Sequence, residues 1–68
     1  MAGKTIRIKV KNYERLLEIS KATTLKPERV LETLIDYYWL RMKEMGELRF
    51  HEYFSRILFL VEDKLYQN

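Results

Sequence analysis

Residues 4–10 read Lys4-Thr5-Ile6-Arg7-Ile8-Lys9-Val10, and the rest of the fold hangs on how this stretch is read. It alternates strictly: Ile6, Ile8 and Val10 fall on one face, Thr5, Arg7 and Lys9 on the other. A period of two built from β-branched residues predicts a strand over 4–10. No second strand signal follows, because every later apolar stretch recurs with helical spacing. A lone strand leaves its backbone N–H and C=O groups without partners. The same strand of a second copy supplies them, so the sequence predicts an intermolecular two-stranded antiparallel sheet and hence a homodimer. Ile6, Ile8 and Val10 then pack on the helices as part of the dimer core, and the Thr/Arg/Lys face points outward.

The chain has 68 residues, near the size at which one hydrophobic core is marginal. Yet 47% of them are hydrophobic, with five Tyr, three Phe and one Trp, more than a small monomer hides easily. Dimerisation resolves that tension. There is no cysteine, which excludes disulfides and thiolate zinc sites and makes a reducing cytoplasm the expected location. The longest apolar run, Ile57 to Val61, is far too short to span a membrane. The N-terminus lacks the basic-then-apolar order of a signal peptide, so no membrane partner is expected.

A net charge of +3 conceals an asymmetry. Residues 1–29 hold eight Lys/Arg against Glu14, Glu18 and Glu28, whereas residues 30–68 hold five basic side chains against seven acidic ones. The basic excess belongs to the strand, the first helix and the turn after it. Concentrated positive charge of this kind favours a polyanion.

Helical periodicity organises the remainder into one domain, 1–68. Asn12 suits the N-cap of a helix over 13–22, with Tyr13, Leu16 and Leu17 on its inner face. The Thr23-Thr24 pair ends it. Pro27 suits the first position of a second helix over 27–45, since its missing N–H would be unpaired there anyway. That helix carries a stripe of Val30, Leu31, Leu34, Ile35, Tyr38 and Met42, of which Leu34 and Tyr38 are assigned to the dimer core. Gly46 terminates it. A third helix over 47–66 follows, striped by Phe50, Phe54, Ile57, Leu58, Val61 and Leu65 and broadened by Tyr53, Phe59 and Leu60. A face so wide and aromatic is a liability in water. It is expected either in the dimer core, folded back over the Tyr38/Met42/Met45 end of the second helix, or as a docking surface for another protein. The fold class is therefore mostly α with one N-terminal β-strand.

The alternating Thr5 to Val10, the Tyr13/Leu16/Leu17 face, and Leu25-Lys26-Pro27-Glu28 leading into Val30-Leu31-x-x-Leu34-Ile35 together resemble the ribbon–helix–helix (MetJ/Arc-type) superfamily of DNA-binding regulators. The resemblance covers about residues 4–45, and the third helix resembles the C-terminal addition of elaborated members. It implies a paired ribbon in the major groove of double-stranded DNA, with base edges read by Thr5, Arg7 and Lys9. It also implies a phosphate held at the start of the second helix. Here that turn reads Thr24-Leu25-Lys26 in place of the family's Gly-x-Ser/Thr-like one, so the anchor falls to the Glu28 and Arg29 amides with the Lys26 ammonium. Such regulators abound in bacterial, archaeal, plasmid and viral genomes, which implies a repressor in the cytoplasm, the host's for a virus. Antitoxins of the same superfamily imply the alternative, a protein–protein interaction module that uses the aromatic third helix.

The chemistry agrees with the resemblance. Arg hydrogen-bonds guanine O6 and N7 bidentately, Lys reaches the same acceptors, and Thr offers a hydroxyl or its methyl. Lys4, Lys11, Lys26 and Arg29 lie where they can neutralise phosphates. Plainer readings stand beside these: a charged strand face also discourages edge pairing, and basic helix ends are often merely solvated. His51 stands at helical spacing from Glu47 and Ser55, but one His with carboxylates falls short of a zinc ligand set. With no cysteine nucleophile, second base or glycine-rich phosphate loop, neither an enzyme nor a cofactor, metal or small-molecule ligand is expected.

Overall fold

The computed structural model describes residues 3–66. Three helices account for most of them: α1, Val10–Thr23; α2, Pro27–Met45; and α3, Glu47–Tyr66. Among the described residues there is no strand, and residues 3–9 adopt no regular element. The helical part of the expectation is present, while the strand over 4–10 and the sheet with a second copy are not. The physical reason lies in what a strand requires. A single chain offers residues 4–9 no second strand, so water solvates their backbone groups. Ile6 is accordingly 80% exposed and Ile8 44% exposed, and neither is packed away on a helix.

The same cause shifts the start of α1. Val10 opens the helix, although the alternation assigns it to the strand, and Asn12 lies inside the first turn, not at the cap. Without a sheet partner, joining the helix is how residues 10–12 engage their carbonyls. Lys9 takes the N-cap position with extended backbone (φ −68°, ψ 149°) and no side-chain cap bond. Its carbonyl accepts from the Tyr13 N–H at 2.9 Å. The Asn12 side-chain oxygen instead accepts from Arg15 at 3.1 Å.

The chain divides into two compact units, up to Ile35 and from Asp36 onward, each containing part of α2. In the first unit Leu16 of α1 and Val30 of α2 are the buried apolar side chains, 7% and 5% exposed. The connection between these helices is tightly tied. Thr24 adopts the left-handed region (φ 57°, ψ 26°). Its N–H donates to the Lys21 carbonyl, and the Leu25 N–H donates to the Ser20 carbonyl at 3.2 Å. This is the paired closure of a Schellman motif, which satisfies carbonyls that a helix end leaves free. The Ser20 hydroxyl adds a bond to the Leu25 carbonyl. Glycine is the usual residue at the left-handed position; Thr24 holds it against a steric penalty of about 1–2 kcal/mol.

The second unit is held by aromatic rings. Tyr38 meets Phe54 edge-on with centroids 5.6 Å apart. Phe50 lies 5.6 Å from Phe54 and 6.1 Å from Tyr53. Arg41 stacks over the Tyr53 ring at 5.3 Å and sits within 3.7 Å of Glu44. Gly46, at φ 88°, is the reversal between α2 and α3. Its N–H closes α2 on the Met42 carbonyl and its own carbonyl accepts from Phe50, both at 2.9 Å. One residue thus ends one helix and starts the next.

Large apolar side chains remain exposed in both units, among them Tyr13, Ile35, Trp39, Leu58 and Phe59. The area says how much is left over. Two separate compact bodies of half this mass would together expose about 5,600 Å². The chain exposes 6955 Å², a surplus of about 1,400 Å² even on that reckoning.

Candidate nucleic-acid interface

Thr5, Arg7 and Lys9 all lie in the exposed segment before α1, together with Lys4. In the single chain they are not ordered on a sheet face, because the sheet that would order them is absent. Lys11 stands in the first turn of α1, Lys26 in the α1–α2 connection, and Glu28 and Arg29 in the first turn of α2; all are exposed. Every one of these positions falls in the first unit. None of the cations among them is held by a carboxylate: among the described residues the ion pair is Arg41–Glu44. Their charge is therefore uncommitted.

The start of α2 can be accounted for group by group. Pro27 has no N–H to give, and the Val30 N–H donates to the Lys26 carbonyl at 3.1 Å. The Glu28 and Arg29 amides remain as donors without a helical acceptor. The Glu28 carboxylate in this first turn already complements the helix dipole. It would repel a phosphate, which makes Lys26 and Arg29 the stronger half of such an anchor.

The residues assigned to the dimer core divide. Ile6, Ile8, Val10 and Leu34 are exposed in the single chain, and Tyr38 is half-buried against Phe54 in the second unit. Ile6 and Val10 are largely open, while Ile8 and Leu34 are each 44% exposed within one chain. Sequence reasoning missed the Arg41–Tyr53 stack and the Ser20–Leu25 tie. The first depends on the Gly46 reversal bringing α3 beside the end of α2, and helical spacing alone does not give that geometry. The second had a signal in Thr23-Thr24, read only as a break.

His51 lines an open groove with Met42, Glu47, Phe50, Phe54, Ser55 and Leu58. Among the described residues no group of three or more His, Cys, Asp or Glu side chains could hold a metal ion. Nor is any helix among them long and apolar enough to cross a membrane. Comparison with protein-family models, with curated proteins and with solved structures finds no match to this chain.

Proposed function

We propose that this chain is the protomer of a homodimeric, sequence-specific regulator of transcription that inserts a paired N-terminal β-ribbon into the major groove of a roughly palindromic DNA site, acting as a repressor. One observation carries the reading. Residues 4–9 alternate apolar with Thr5, Arg7 and Lys9, and they stand exposed and unpaired in a unit whose cations lack carboxylate partners. Pairing two copies antiparallel satisfies both backbones, turns Ile6 and Ile8 toward the helices, and gathers both sets of Thr5, Arg7 and Lys9 on one face. The major groove admits a ribbon of that width. Val10 then leaves the helix to complete the strand, so dimerisation and the shortening of α1 are one event. Lys4, Lys11, Lys26 and Arg29 neutralise flanking phosphates.

Selection of bound duplexes from a random pool, followed by salt-dependent mobility shifts, tests this. Arg7→Ala is expected to weaken the selected site by about 1–3 kcal/mol per lost base contact and to spare non-specific duplexes. Equal loss on both would remove the strand face as the reading head. A second reading has its own support in the exposed Phe59, Leu60 and Tyr66 of α3: an interaction module, antitoxin-like, that docks another protein. Failure to enrich any duplex at low salt would favour it.

A further inference from the structure

Resting on the function proposed above, we propose that Asn12 is a two-position switch: it holds Arg15 in the single chain and frees it for a DNA phosphate when the ribbon pairs. In the single chain α1 begins at Val10, and that start is poorly provided for. The N-cap, Lys9, makes no side-chain cap bond, and an ammonium has no acceptor to make one with. No acidic residue stands in the first turn. Lys11 does stand there, a cation at the positive end of the helix dipole. Asn12, a preferred capping residue type, lies inside the turn, where its Oδ1 accepts from the Arg15 guanidinium at 3.1 Å.

Each of these shortcomings disappears if α1 begins at Tyr13. Val10 passes to the strand, Asn12 becomes the N-cap, and Tyr13, Glu14 and Arg15 form the first turn. The Asn12 oxygen then accepts from a backbone N–H, that of Glu14 or Arg15. Glu14 enters the first turn, where a carboxylate complements the dipole, and Lys11 leaves it. Little side-chain packing holds the longer helix, since Val10 is 73% exposed in it. What the longer helix gains is backbone bonding, such as the Lys9 carbonyl on the Tyr13 N–H at 2.9 Å. A partner strand offers those carbonyls an alternative. Turning the Asn12 oxygen to the backbone releases the guanidinium. Arg15 is exposed and, among the described residues, has no carboxylate partner. A free guanidinium at the foot of the ribbon suits bidentate bonding to phosphate. The contact belongs to the paired state alone, so pairing and DNA affinity rise together.

Sedimentation of the full chain without DNA tests the switch. Asn12→Ala strips the cap from both protomers of the ribbon dimer and is expected to weaken dimerisation roughly thirtyfold, two caps at their usual cost. The same substitution should make the dilute single chain more helical, because alanine is the better helix former where no cap is used. A residue that merely supports the fold would move both states the same way. Asn12→Asp keeps a cap and should dimerise within about threefold of wild type. Backbone carbon chemical shifts at Val10 should be helical at dilution and extended in the dimer. On duplex DNA, Arg15→Ala should flatten the log–log salt dependence by about two per dimer, and Arg15→Lys should retain most of it. Equal dimerisation of Asn12→Ala and wild type would overturn the switch, as would an unchanged salt dependence in Arg15→Ala. A wild type that never dimerises removes the ribbon and the switch with it. A dimer that binds no duplex sinks the DNA reading and the Arg15 contact, while the Asn12 result is still read from sedimentation.

Discussion

The unit up to Ile35 buries Leu16 and Val30 and closes its two helices with backbone hydrogen bonds, while among the described residues the unit from Asp36 buries no side chain to that degree and relies on contacts between aromatic rings. Their charges differ as well. The first holds eight basic against four acidic residues, the second five against six. The second unit is helical over nearly all its described residues and the first also holds the irregular segment before α1, so the contrast lies in core and in charge. The first unit has a small aliphatic centre and free cations, the composition of a surface that meets a polyanion. The second nearly balances its charges and leaves apolar side chains such as Trp39, Leu58 and Phe59 open, the composition of a surface that meets protein. Under the function proposed above the two units meet different partners, and substitutions in each should then act through different observables.

The largest expected effect is at the place in the first unit where the proposed ribbon requires a second copy. Ile8→Lys puts a charge where the ribbon must pack on helices. The wild-type melting temperature should rise with protein concentration, as mass action requires when folding and association are linked. In Ile8→Lys that dependence should vanish and the folded state should be largely lost at micromolar concentration. A wild-type chain that sediments as a stable monomer at every concentration would remove the ribbon, and with it half of the contrast.

That prediction also marks the boundary of what one sequence can convey. Pro27 and Gly46 are local punctuation: one pre-sets the backbone of a first helical position, the other adopts φ 88° without strain. The sequence accordingly places helices at 27–45 and 47–66, and α2 and α3 span Pro27–Met45 and Glu47–Tyr66. The stretch at 4–10 is different in kind. Its alternation predicts a strand whose hydrogen-bond partners would lie outside the chain; among the described residues no strand forms, and Val10 joins α1 instead. The candidate site divides along the same line. That its cations sit together in the first unit follows from their order in the chain, whereas the face proposed for Thr5, Arg7 and Lys9 requires two paired strands. The aromatic cluster was half visible: its members lie on the expected stripes, but which ring meets which depends on the reversal at Gly46.

An intermediate effect separates the two units by their cores. Leu16→Ala removes a 7%-exposed side chain from a centre that contains little else. It should lower stability by about 2–4 kcal/mol, toward the middle of the range for buried leucines. Phe54→Leu in the second unit replaces one apolar group by another. It forfeits the edge-on contact with Tyr38, worth about 0.5–1.5 kcal/mol beyond area. Urea denaturation of both variants measures the difference directly. If Phe54→Leu cost as much as Leu16→Ala, the second unit would hold a true core and not a set of ring contacts.

The smallest effect sharpens the comparison most, because each unit contains one left-handed residue at a helix end. Gly46 stands at φ 88° and Thr24 at φ 57°. Glycine meets that geometry freely; a β-branched residue does so against about 1–2 kcal/mol of steric strain. Thr24 is nevertheless kept in place by the Leu25 N–H on the Ser20 carbonyl and by the Ser20 hydroxyl on the Leu25 carbonyl. Thr24→Gly should release the strain but give back about 0.5–1 kcal/mol through the freer unfolded chain. The net expectation is a gain of about 0.5–1 kcal/mol, or roughly 2–8 °C in melting temperature for a chain this short. At Gly46 nothing lies within 4 Å of where a Cβ would stand. Gly46→Ala therefore suffers from backbone strain alone and should lose a similar amount. Opposite signs of similar size at two turns of similar geometry are the expected result of paired thermal melts. A loss at Thr24→Gly would instead mean that the Thr24 side chain contributes more than its strain removes, which would place the α1–α2 turn among the working parts of the first unit.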